Sequence, residues 1–147
     1  MRRSSLPLRL RGRVLLATAA AAVALLPVGA AAAAAATPVS LTGGGTVLVD
    51  GTRYTVSMNV RQSASGKLSG SCGLAGPRLA FSCQSITSIA VAGPQVTVKG
   101  SGVLANGQNR TFTAVVTDNP NGADQIAVDA TGANVSGSLA TGGFVLR

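Results

Sequence analysis

From Thr46 to the C-terminus apolar and polar residues alternate in short runs, and each run ends at Gly, Asn, Asp or Pro. Tyr54, Val56, Met58 and Val60 alternate with Thr55, Ser57, Asn59 and Arg61. Side chains on a strand point to opposite faces in turn, so this is a half-buried strand with a defined apolar face. Thr46–Val49 precedes it across Asp50-Gly51, a dipeptide that accepts the positive φ angles of a tight hairpin. Further strands are predicted over Lys67–Cys72, Arg78–Val91, Gln95–Ala105, Thr111–Thr117, Gln125–Ala130, Val135–Leu139 and Phe144–Leu146. The breaks fall at residues 62–66, 73–77, 93–94, 106–107, 119–123 and 141–143. Eight or nine short strands at this spacing signal a barrel or sandwich. No connection is long enough for a helical crossover, so the pairing is antiparallel. Gly100 and Gly102 inside a strand predict a bulge or sharp bend there.

Residues 1–36 follow a different pattern. Arg2, Arg3, Arg9, Arg11 and Arg13 come with no acid, Val14–Leu26 is an uncharged apolar run of 13 residues, and a stretch of alanines follows Pro27 and Gly29. Positive, apolar, then small is the order of an export signal. The run is short for a membrane span, which needs about 20 residues. Cleavage is expected between Ala36 and Thr37, by the general secretory route in preference to the twin-arginine route that Arg2-Arg3 invites. The chain then divides into a signal peptide, 1–36, a glycine-rich N-terminal segment, 37–45, and one β domain, 46–147. The expected destination is extracellular or the cell envelope, with the membrane met only through the signal peptide.

Removing the leader changes the electrostatic picture. Five of the 12 basic residues lie in it, so a net charge of +8 becomes +3 for residues 37–147. The remaining basic residues are scattered singly and without interleaved aromatics, so no nucleic-acid footprint is present. Arginine outnumbers lysine, and Ala, Gly and Val abound, a bias of GC-rich bacterial genomes.

Cys72 and Cys83 are the two cysteines. In an exported chain an even count reads as a disulfide. A hairpin centred on Pro77-Arg78 places the two opposite each other, with a four- or six-residue loop. Ten intervening residues do not make a redox C-x-x-C, and two cysteines without any histidine make a poor metal site. The absence of histidine also removes the common Ser-His and Cys-His dyads. The acids are Asp50, Asp118, Asp124 and Asp129. Asp50 belongs to a turn, and Asp129 is expected to face solvent. Asp118 and Asp124 flank a turn-forming loop and are a weak candidate pair for calcium, because Pro120 stands where a further oxygen ligand would be needed. No cofactor motif is present. Tyr54, Phe81, Phe112 and Phe144 are assigned to the core, with a glycan-stacking platform as the lesser alternative.

The order of small motifs resembles the post-COAP domain, a short all-β module of secreted and surface bacterial proteins. The resembling residues are Ser85–Ile89, Gly100–Val103 with Asn106-Gly107, Phe112–Asp118, Asn119, Gly122, Asp124–Ile126, Gly137–Leu139 and Gly142-Gly143, with Gly43–Gly45 as a glycine-rich start. The resemblance implies an all-β module and carries no activity onto any residue. Cys72 and Cys83 stand outside the shared pattern.

The functional expectation is a non-catalytic, monomeric binding or structural module with a protein or glycan partner. The alternative is a protease inhibitor using the loop Gly73–Arg78, with Arg78 as specificity residue. A hydrolase ranks below both.

Overall fold

The computed structural model describes residues 36–131 and 134–147. Residues 1–35, and with them all but the last residue of the expected export signal 1–36, lie outside the described residues. Of the expected cleavage bond, Ala36 donates its N–H to the Ala64 carbonyl at 3.1 Å, and Thr37 is exposed. Among the described residues no helix is long and apolar enough to cross a membrane.

Eight strands follow in chain order: β1 (Val39–Val49), β2 (Thr52–Gln62), β3 (Leu68–Ala75), β4 (Ala80–Ala92), β5 (Gln95–Leu104), β6 (Asn109–Thr117), β7 (Gln125–Asp129) and β8 (Asn134–Leu146). Each pairs antiparallel with the next, and β8 closes on β1, so the all-β expectation resolves to a closed barrel rather than a sandwich. Closure removes most of the exposed sheet edge that a sandwich would leave.

The alternation read in β2 holds residue by residue. Tyr54, Val56, Met58 and Val60 are buried, and Arg53, Thr55, Ser57, Asn59 and Arg61 are exposed. The β1–β2 turn has φ of 48° at Asp50 and 74° at Gly51, which the right-handed strand twist favours. Every strand contributes apolar residues to one core, which includes Leu41, Val47, Val60, Val96, Val98, Val116 and Val135. The interior is apolar and the outer face rich in Ser, Thr, Asn and Gln. A lipid-facing barrel has the opposite arrangement.

Two glycine clusters lie inside strands. Residues 37–45 were expected to precede the domain, but β1 begins at Val39 and runs through Gly43–Gly45. Residues 141–143 were expected to separate two strands, but β8 continues through them. The clusters face each other: Gly43 pairs with Phe144, Gly44 with Gly143 and Gly45 with Gly142. A Cβ on Gly45 would run into the main-chain carbonyl of Thr141, and one on Gly142 into that of Gly44. Glycine here permits a backbone approach at the closing seam. A shift between Thr46 and Val47 inserts one extra β8 residue. It flips parity, so that odd-numbered Val135 and Leu139 and even-numbered Phe144 all turn inward.

The bulge expected in β5 lies on its neighbour. The β5–β6 register is unbroken, whereas β4 shifts between Cys83 and Ser85 and again between Ile86 and Ser88 against β5. These two extra residues keep Phe81, Cys83, Ile86, Ile89 and Val91 paired with inward positions of β5: Leu104, Gly102, Gly100, Val98 and Val96. A plain period-two strand could not hold residues 83, 86 and 89 on one face.

Candidate functional site

Cys72 and Cys83 form a disulfide with a Cα–Cα separation of 5.1 Å, inside the usual 4.4–6.8 Å range. The β3–β4 ladder pairs Ala75 with Ala80, Leu74 with Phe81 and Gly73 with Ser82. The expected register is therefore present, and the disulfide is its next rung. The loop is the four-residue option, Gly76–Leu79. Beyond the disulfide the hydrogen-bonded ladder stops. A covalent rung thus ends the shortest ladder of the barrel, as oxidising compartments permit.

That geometry shortens the inhibitor loop. Gly73, Leu74 and Ala75 belong to β3 and pair with β2 on one side and β4 on the other. Leu79 is buried. The Tyr54 ring covers Gly76, leaving no room for a Cβ. Pro77 and Arg78 are the exposed part.

Asp118 and Asp124 are brought to one end of the barrel, where β7 stops short of β8. Past Ser138, β8 has no β7 residue opposite it. The β6–β7 loop takes over. The Asp124 carbonyl accepts the N–H of Leu139 at 2.8 Å. Asp124 Oδ2 accepts the N–H of Phe144 at 2.5 Å, and Asp118 Oδ2 accepts that of Leu146 at 3.1 Å. Asp124 Oδ1 accepts the N–H of Asn119 at 2.8 Å, which folds the loop back on itself. Asp124 is 8% exposed. Buried carboxylates need such donors, because an unpaired charge away from water is costly. The pair offered for calcium is thus turned toward main-chain amides, and among the described residues no group of three or more metal-ligating side chains occurs. Asp129 is exposed, as expected.

The aromatic residues fill the core. Tyr54, Phe81, Phe112 and Phe144 are 3–6% exposed, so no face is free for stacking on a sugar. Phe81 and Phe112 meet edge to face with centroids 5.3 Å apart. Their rings occupy the space that side chains at Gly102 and Gly100 would take. The interior gap bordered by Val56, Met58, Phe81, Phe112 and Val128 measures about 10 Å³, barely the volume of one water. The lumen is packed.

The outer face of β5–β8 aligns polar side chains in rows. On β5–β8 the register aligns Gln95, Thr117, Gln125 and Ser138 in one row across four strands. Lys99, Thr113, Asp129 and Asn134 form a second row. A shallow groove of about 400 Å³ follows the first row. Sequence reasoning did not find these rows, because alternation marks outward residues without saying which strands lie side by side.

No family model matches this chain, and no curated protein and no solved structure matches it.

Proposed function

We propose that the chain is an exported, non-catalytic binding module, a rigid barrel that presents hydroxyl and amide groups to a glycan or protein partner. The supporting observation is the row Gln95–Thr117–Gln125–Ser138 along an open groove, on a barrel whose interior is filled and whose buried carboxylate binds its own backbone. Neutral donors and acceptors on a preformed surface bind without the entropy of ordering a loop. The leader and the disulfide support an oxidising destination outside the cytoplasm. The post-COAP-like motif order agrees with a module of the bacterial surface.

The test expresses the full chain in a bacterial host and recovers the exported protein. Its N-terminus should lie near Thr37, and its mass about 2 Da below that after reduction, the loss of two hydrogens. Retention on cell-envelope material should fall at least about tenfold when Gln125 is replaced by Arg. Retention unchanged by that substitution, or hydrolysis of the envelope material by the purified protein, would overturn the reading.

A further inference from the structure

The β3–β4 ladder ends at Gly73↔Ser82, but β4 runs on to Ala92. From Gln84 to Ala92 one edge of β4 pairs with β5. The other has no ladder partner past Ser82, and no turn or loop residue among the described residues hydrogen-bonds to its main chain. Sheet edges of this kind are usually guarded by charge, proline or bulges. Both bulges of β4 lie before Ser88. Ser88–Ala92, the sequence SIAVA, is unbulged, uncharged and free of proline.

Val91 shows that this edge lacks a neighbour. It pairs with Val96, which is fully buried, so both project to the same face of the sheet. Val91 is nevertheless 45% exposed. The difference lies in the flank: at this end of the sheet β5 pairs with β4 and β6, and β4 pairs with β5 alone.

We infer that the Ser88–Ala92 edge of β4 pairs antiparallel with the same edge of a second copy of this chain. The sequence is self-complementary about Ala90. A two-fold axis there sets Val91 opposite Ile89 of the other copy and Ala92 opposite Ser88, with Ala90 against itself. Inward apolar residues then meet inward apolar residues, and outward small residues meet outward small ones. No like charges face each other, because residues 84–95 carry none. The contact is isologous and closes at two copies. It replaces the expected monomer and does not depend on the proposed binding face of β5–β8.

Sedimentation velocity on the protein purified after expression of the full chain tests this. A concentration-dependent dimer is expected. Val91→Lys should weaken it at least about tenfold, while Val145→Lys, at another exposed valine, leaves it unchanged. Ala90→Cys should give a covalent dimer on mild oxidation, since opposed strand positions lie about 4.5–5.5 Å apart. That readout stands if Val91→Lys fails to fold. A monomer at millimolar concentration, a dimer indifferent to Val91→Lys in a folded variant, or no Ala90→Cys cross-link overturns the inference. So does a monomer whose β4 edge binds only foreign extended peptides.

Discussion

The carboxylates of Asp124 and Asp118 each hold one main-chain amide of β8, but Asp124 also holds its own loop, and that difference separates their substitutions. Asp124 uses both oxygens, on Asn119 and Phe144. In Asp124→Asn one oxygen becomes an NH2 group that faces an N–H donor, leaving a buried donor unsatisfied. The expected loss is about 2–3 kcal/mol. Asp118 makes one such bond, so Asp118→Asn keeps an acceptor and should cost under about 1 kcal/mol. Urea denaturation of the two variants checks the ordering. Gly45 and Gly107 make a second contrast. A methyl at Gly45 collides with main chain, which cannot rotate away, and Gly45→Ala should cost about 3 kcal/mol. Gly107 has open space around it and φ of 80°, so Gly107→Ala meets only conformational strain, about 1 kcal/mol. The sequence shows all four residues but not this ranking. Asp118 and Asp124 read as ordinary loop carboxylates until the shortness of β7 is known.

At the scale of elements, the three-rung β3–β4 ladder is the shortest in the closure, and the disulfide extends it. A bridge closing a ring with sequence separation 11 contributes about 3 kcal/mol in the chain-entropy model. Replacing both cysteines with serine should therefore lower the melting temperature by about 10 °C or more in calorimetry. Hydrogen exchange should rise first in β3 and β4, because local opening starts where bonds are fewest. The cysteine pairing was legible from the even count in an expected exported chain together with the hairpin centre. The limits of β4 were legible within two residues, but its facing was not. Ser85-Ile86-Thr87-Ser88-Ile89 has no period-two pattern, and only the two bulges against β5 explain how Ile86 and Ile89 both turn inward.

For the barrel as a whole, closure determines which surfaces stay exposed. Seven of the eight seams are made by neighbours in sequence, and β8 with β1 makes the eighth. The lumen is filled by the aromatics of β2, β4, β6 and β8, so the proposed binding falls to the outside. Two outer features carry the proposals: the amide and hydroxyl row across β5–β8, and the Ser88–Ala92 edge of β4. They lie on different strands, so Gln125→Arg should leave self-association intact and Val91→Lys should leave envelope retention intact. Running both variants through both assays separates the two proposals.

The sequence by itself determined the strand class, most strand positions, the Asp50-Gly51 turn, the disulfide register and the burial of the four aromatics. Each of these follows from local alternation, turn chemistry or a short loop centre. Only the tertiary structure decided that the sheet closes between β1 and β8, that Gly43–Gly45 and Gly142-Gly143 are a seam, and that Asp118 and Asp124 extend a ladder. It also decided that β4 keeps an open edge. Those outcomes depend on which residues distant in sequence become neighbours, and on single-residue bulges that reverse facing. Local patterns carry no record of either.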